Sequence, residues 1–395
     1  LKRVVIIGGG PAGLMAATQL MKSDCEILIV DQKASVGRKF LVAGDGGFNL
    51  THSETPSEFR EKYDSDWIKQ AVRQFSNKDF IKFLKQIGIE TTVGSSGKIF
   101  PEDAVKPIEV LNAWKQFLEP KVQFVLNTRF LDFDQRQISV EKEGKTEKMD
   151  FDFLVLALGA KSWPVTGSDG AWFSFFEQKG IGMNPFQPSN SGLVLYDNWL
   201  GGLEGKVLKN IRTFCGNQSC SGDLVCTSYG LEGKPAYAIN GGLRQMEKPV
   251  FKIDLKPQMA ADKVFEILKK AKNPSQGLKE LKLGEVAVFW IKNFVSKGRF
   301  LDPKELTKAI KEFPIGIKGF RPIEEVISCA GGVSDSEISE SGELKHFPNV
   351  FVAGEMIDWD APTGGYLIQG CVSSGYVTGK SIAKQLTGST VQNVQ

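Results

Sequence analysis

Hydrophobic positions along this chain follow two periods, and the order of those periods is informative. Residues 4–7 are continuously apolar and stop at Gly8-Gly9-Gly10-Pro11-Ala12-Gly13. Apolar residues then recur at helical spacing, at Leu14, Ala17 and Leu20-Met21, before a second continuous run, 27–30, ends at Asp31. Continuous runs predict strands buried on both faces, and the 3.6-residue period predicts an amphipathic helix. Strand, glycine turn, helix, strand and acid is the order of a dinucleotide-binding βαβ unit. Gly8 would allow the tight turn, Gly10 the approach of a pyrophosphate, and Gly13 close helix–strand packing. The helix start would face the phosphates with its unpaired N–H groups, and Asp31 would accept from a ribose.

Further along, helical spacing marks 66–75, 77–87 and 107–118. The second of these has Asn77 in the N-cap position and Gly88 as terminator, and the third has Pro107 in its first turn. Runs at 122–126, 129–133 and 137–141 predict a small β-meander, and 151–158 is a fully apolar strand ending in Gly159-Ala160. The polar, proline-containing stretch 184–192 reads as a linker. Strand-like runs follow at 193–196, 207–214, 224–228, 250–255 and 315–320, and helical ones at 262–271, 278–295 and 303–313. Pro322 marks a second boundary. The run 350–355 then returns to a buried strand ending in Gly354-Glu355, with Pro362-Thr363-Gly364-Gly365-Tyr366 leading into a helix to about residue 385.

Strand ends in glycine thus recur at Gly8, Gly159 and Gly354, from both ends of the chain. In an open parallel sheet ligands bind at the carboxyl ends of strands. The expected fold is therefore α/β, a Rossmann-like three-layer cofactor domain formed by 1–188 and 322–395. A β-rich insert, 189–321, carries a helical piece at 256–313. The extra Gly-Glu strand end and the Thr-Gly-Gly-Tyr helix start would place N–H groups and a helix dipole at a second point on the ligand. That favours flavin adenine dinucleotide (FAD) over NAD alone.

Composition narrows the function classes. Of 395 residues, 41% are hydrophobic and 24% charged, with 49 Lys and Arg against 46 Asp and Glu, a formal net charge of +3. This balance predicts neither a nucleic-acid nor a membrane partner. With no signal-like start and no span-length apolar run, the expected location is cytoplasmic. The six cysteines form no C-x-x-C pair, and Cys215, Cys220 and Cys226 lack zinc-site spacing, so small buried residues are expected. Two histidines, His52 and His346, argue against a histidine metal cluster or a Ser-His-Asp triad, and no metal is expected.

Taken together, the opening, the stretch from Gly37-Arg38-Lys39 to Asn49-Leu50-Thr51, the stretch from Gly354-Glu355 to Tyr366, and the insert resemble the YhiN-like (BaiN-like) bacterial flavoproteins of the glutathione-reductase-type FAD superfamily. Departures from the family pattern are visible. Asp45, Gly47 and Phe48 stand where glycine, arginine and cysteine are usual, and Leu367 stands for asparagine. Thr227 to Gly233 is an altered form of a family landmark in the insert. The resemblance implies an FAD-dependent oxidoreductase with an insert of β-barrel plus helices. It implies cofactor contacts at Gly8, Gly10, Pro11, Ala12, Gly13, Asp31, Gln32, Arg38, Lys39, Gly44, Asn49, Thr51, Ala157, Gly159, Gly354, Glu355, Asp358, Gly365, Tyr366, Leu367 and Ile368. Phe130, from its position in the meander, is a candidate for backbone contact with adenine.

The second complete nucleotide-binding unit that a dedicated NAD(P)H domain needs is not evident; Gly167-Ser168-Asp169-Gly170 is only a fragment. The expected substrate is a small organic molecule between the FAD domain and the insert, with NADH or NADPH as a transient reductant. An oxygen-using amine oxidase, an FAD-binding protein without turnover and an RNA-modifying flavoenzyme stay open. No catalytic acid or base is assigned. His52, Tyr229 and Tyr366 are candidates, as are Trp163 and Trp359 for walls of the flavin pocket.

Overall fold

The computed structural model describes residues 1–42, 48–102, 105–199 and 201–391. The predicted contact Gly44 lies outside the described residues. The chain divides into two compact units, Leu1–Phe186 with Cys329–Gln395, and Gln187–Ser328.

The first unit is built on a five-stranded parallel sheet in the order Val350–Val352, Phe153–Leu156, Lys2–Ile7, Cys25–Val30, Val122–Val125. The last four residues of Lys2–Ile7 are all buried, as expected for a central strand covered on both faces. Helices Pro11–Leu20 and Tyr366–Val391 pack against each other through small residues. A Cβ on Gly375 would lie 2.1 Å from the Ala12 carbonyl oxygen, and one on Gly379 would lie 2.4 Å from that of Ala16. Only glycine permits this approach, and it holds the first turn of the N-terminal helix on the C-terminal one.

Several elements differ from expectation. Val122–Val125 belongs to the parallel sheet, pairing with Cys25–Val30, so the meander is Thr128–Phe133, Gln137–Lys142 and Lys145–Asp150. Its third strand escapes periodicity because five of its six residues are exposed, in the sequence KTEKMD. Ser76, not Asn77, caps the helix Asn77–Gln86, in a reciprocal box with Asp79. The side chain of Asn77 instead donates to the carbonyls of His52 and Glu54. The stretch read as a linker is a strand, Met183–Ser189, which pairs with Ser328–Val333.

The second unit is a closed antiparallel barrel in the order Leu193–Leu195, Gly230–Glu232, Gln218–Cys226, Val207–Cys215, Val250–Asp254, Phe313–Phe320. Closure leaves no sheet edge. Helices Ala261–Lys270, Pro274–Glu280, Glu285–Phe294, Lys297–Leu301 and Pro303–Lys311 share its core, in which Trp290 is fully buried. The expected single helix 278–295 is two, parted by a turn with Lys282 at φ 51°.

Candidate functional site

The carboxyl ends of the parallel strands open into a cleft enclosing about 1250 Å³ of free space, mouth included. Lys2–Ile7 feeds the glycine turn into it. Gly8, at φ +100°, donates to the Val30 carbonyl at 2.8 Å, and a Cβ on it would lie 2.3 Å from the Ala157 oxygen. A Cβ on Gly13 would lie 2.0 Å from the Gly8 oxygen, whereas one on Gly10 would meet nothing within 4 Å. Two glycines are thus fixed by protein contacts, and the third faces the open cleft. Gly10 is also the N-cap of Pro11–Leu20, with no side-chain cap and no acid in the first turn. The helix therefore presents backbone donors and a partial positive charge to the cleft.

Asp31 is held by two backbone donors, Gly9 N–H to Oδ2 and Lys33 N–H to Oδ1, both at 2.9 Å. Burial pushes its pKa up against the pull of those hydrogen bonds. Each carboxylate oxygen keeps acceptor capacity for a hydroxyl. Gln32 donates to the Gly167 carbonyl at 2.6 Å. On the far side, Lys39 Nζ lies 2.6 Å from Glu355 Oε2 and donates to Ser162 Oγ at 2.7 Å. With side chains 26% and 12% exposed, this pair ties the Gly37-Arg38-Lys39 stretch to the C-terminal strand end. Gly354, at φ +81°, is held by Ser374 Oγ at 2.8 Å. Cys371 also lines the cleft, and burial, reinforced by Glu355, raises its thiol pKa well above the ordinary value.

Of the predicted contacts, Gly8, Gly10, Pro11, Ala12, Asp31, Gln32, Arg38, Lys39, Phe130, Ala157, Gly159, Gly354 and Glu355 line this cleft. Gly13 sits behind the turn. Thr51, Gly365, Tyr366, Leu367 and Ile368 form a neighbouring cluster. There Thr51 Oγ1 donates to Gln369 Oε1 at 2.9 Å, and a Cβ on Gly365 would lie 2.5 Å from Thr51 Cα. Tyr366 donates to Glu54 Oε2 at 2.9 Å, and burial together with Glu54 raises its phenol pKa. Leu367 and Ile368 pack against the hydrophobic cores, and Asn49 is half-buried. Asp358 acts as a clamp, accepting from Gly331 N–H at 2.7 Å and Asn184 Nδ2 at 2.6 Å.

The remaining candidates have structural partners. His52 stacks on Tyr366 at 5.5 Å, and its Nε2 lies 3.0 Å from the Ser96 carbonyl. Trp359 is buried and donates to the Gly354 carbonyl, while Trp163 is 41% exposed at φ 57°. Tyr229, in the second unit, donates to Glu232 and lies under the Arg321 guanidinium. Cys25, Cys215, Cys226 and Cys329 are buried, and all six thiols are free. Among the described residues no His/Cys/Asp/Glu group could hold a metal ion, and no helix is long and apolar enough to cross a membrane.

Sequence reasoning missed Thr128, Arg129, Leu131, Thr166, Ser168, Trp172 and Cys371 in the cleft wall. Gly167-Ser168-Asp169-Gly170 held the one available signal. Gly167, Ser168 and Asp169 line the same cleft, with Ser168 Oγ donating to the Ala160 carbonyl at 2.7 Å.

A glycine turn against a helix start, a part-buried acid just past the second strand and a Gly-Glu strand end from the far terminus define a dinucleotide-binding flavoprotein. The chain belongs to the HI0933-like protein Rossmann domain family, which matches residues 2–381. It is 23% identical to the 3-dehydro-bile acid delta(4,6)-reductase of Clostridium scindens, over 98% of this chain and 100% of that protein. It is 27% identical to the ribosomal RNA dihydrouridine synthase of Haemophilus influenzae, over 96% of this chain and 98% of that one. Among solved structures, the 3-ketosteroid-delta4-(5alpha)-dehydrogenase of Rhodococcus jostii RHA1 superposes with a TM-score of 0.52 at 13% identity, covering 97% of each chain. The residues present fit the cofactor of such proteins: Gly10 leaves the phosphate position open, and Asp31, Lys39 and Glu355 supply acceptors and a cation around it. The protein is an FAD-dependent oxidoreductase.

Proposed function

We propose that this protein reduces a carbon–carbon double bond conjugated to a carbonyl in a small, flat ring, with NADH or NADPH as the electron source. The observation that carries the FAD half of the reading is the cleft, where an uncapped helix start, Asp31 and the Lys39–Glu355 pair face one space. When bound, FAD supplies hydride exchange at its N5 position.

This chain's residues do the holding. The start of Pro11–Leu20 receives the pyrophosphate with backbone N–H groups. Asp31 accepts from a ribose hydroxyl, and Glu355 accepts from a second cofactor hydroxyl. Lys39 holds Glu355 in place. Phe130 and Leu131, where the register of Thr128–Phe133 against Gln137–Lys142 shifts, present backbone groups to the adenine. Thr51, Gly365, Tyr366, Leu367, Ile368, Asn49, Gly44 and Asp358 belong to the same proposal as supports of the flavin end.

Two relatives point to the reaction class. A bile acid delta(4,6)-reductase removes ring double bonds, and a dihydrouridine synthase saturates the bond of uracil that is conjugated to a carbonyl. Both are reductions of electron-poor alkenes, which accept hydride at the β-carbon. The test is anaerobic. NADH or NADPH should bleach the yellow protein, and a conjugated enone should restore the colour. Reduction by a primary amine in place of NAD(P)H would favour an amine oxidase; reduction by no donor would favour a binding protein.

A further inference from the structure

Along residues 160–168, which follow the strand Phe153–Leu156 into the wall of the cleft, polar side chains are inside and apolar ones outside. Ser162, Thr166 and Ser168 are buried, whereas Trp163 is 41% and Val165 70% exposed. The ends of this segment touch: Ser168 Oγ donates to the Ala160 carbonyl at 2.7 Å, and a Cβ on Gly159 would lie 2.5 Å from that hydroxyl. It is a closed surface loop of the kind that often carries function. Apolar packing does not hold its tip, and segments with few buried apolar contacts open at low free energy.

Hydrogen bonds hold the loop instead. Lys39 Nζ donates to Ser162 Oγ at 2.7 Å, and Gln32 Nε2 donates to the Gly167 carbonyl at 2.6 Å. Gln32 and Lys39, which follow the strand Cys25–Val30, line the same cleft as Thr166, Gly167 and Ser168. The two bonds therefore join cleft-lining segments that leave separate strands. Both are internal to the chain, so neither requires the cofactor. The loop is also strained. Trp163 sits at φ 57° and ψ 58°, left-handed backbone that a bulky residue rarely adopts, and Pro164 drives its predecessor toward extended backbone instead. Thr166 enforces the conformation, donating to the Trp163 carbonyl from its N–H at 2.9 Å and its Oγ1 at 2.7 Å. Strain over-determined in this way clusters at ligand clamps and switches.

We propose that residues 160–168 are a latch on the cofactor cleft, opening to let the flavin dinucleotide enter or leave and kept shut by the Lys39–Ser162 and Gln32–Gly167 bonds. Opening relaxes Trp163, which offsets part of the loss of those bonds. The bonds persist in either state of the cleft, so the latch obstructs entry and exit alike. Exchange of the cofactor is separate from what the protein reduces, so the latch stands or falls independently of the enone reading.

The experiment measures FAD exchange with neither substrate nor reductant present. Association is followed by the change in flavin fluorescence when apoprotein meets FAD, and release by chasing radiolabelled FAD with excess unlabelled FAD. Variants of a latch should change both rates together and leave the dissociation constant within about twofold. Ser162→Ala, which loses the Lys39 bond, should speed both rates about fivefold or more. Trp163→Gly, for which left-handed backbone carries no steric cost, should slow both about threefold or more. Val165→Ala, at the exposed tip, should exchange as wild type. Unchanged exchange in Ser162→Ala overturns the proposal, and so does faster release at unchanged association, which makes Ser162 a support of the bound state alone. Unchanged or faster exchange in Trp163→Gly overturns it as well, as does a change in Val165→Ala equal to that in Ser162→Ala. A wild type that takes up no FAD removes the latch together with the cofactor assignment. Coupled rate changes without enone reduction leave the latch standing and remove the functional reading alone.

Discussion

Gly10 and Gly13 separate what the cofactor needs from what the fold needs. A Cβ at Gly10 enters open cleft, so Gly10→Val should fold normally yet purify without flavin. A Cβ at Gly13 would lie 2.0 Å from the Gly8 oxygen, so Gly13→Ala should lower the Tm itself, read by scanning calorimetry. Lys39→Met leaves Glu355, 12% exposed, without its cation; flavin affinity should fall about tenfold or more, measured by titrating FAD into apoprotein. Asp64 gives a pH test. Burial, with Asp360 and Asp358 nearby, raises its pKa from 3.8 to about 6. The folded state therefore binds this proton more tightly than the unfolded one, and stability contributed by the protonated form is lost as pH rises from about 4 through 6. Above that range the carboxylate, which faces Asp360 and Asp358 but is exposed to solvent, is a small net cost. Asp64→Asn keeps the acceptor for the Asp360 N–H, so it should raise the Tm at pH 8 and leave it unchanged near pH 4.

Among elements, the crossing of Pro11–Leu20 and Tyr366–Val391 carries the largest load for the site. Gly375→Ala places a methyl 2.1 Å from the Ala12 carbonyl, which must shift the helix start that faces the cleft. Loss of both Tm and flavin is expected. Gly388→Ala in the same helix meets nothing within 4 Å and should be neutral or stabilising by up to about 1 kcal/mol, read from denaturant midpoints. The βαβ unit was legible because buried parallel strands are continuously apolar and each glycine has a single mechanical role. The helix–helix crossing was not: its signal, Ala12 and Ala16 facing Gly375 and Gly379, needs two segments from opposite ends of the chain. Lys145–Asp150 was invisible because an exposed edge strand carries no hydrophobic period. Met183–Ser189 was misread because its prolines and polar residues imitate a linker, yet an edge position tolerates both.

For the molecule as a whole, Gly8, Asp31, Lys39 and Glu355 were readable in sequence as parts of one site, and the structure sets them around one cleft. The wall made by Thr166, Ser168 and Trp172 was hidden, since no spacing rule links a turn after one strand to a glycine loop after another. Replacing His52 by alanine should leave flavin content unchanged, because its ring contacts Tyr366 and the Ser96 carbonyl, not the cleft. The most direct test of the central claim is an anaerobic spectrum of the purified protein through one cycle. NADPH should bleach the flavin band, and a conjugated enone should restore it with one double bond saturated per flavin reoxidised. A colourless protein that takes up no added FAD, or a reduced flavin that no enone reoxidises, would contradict the account.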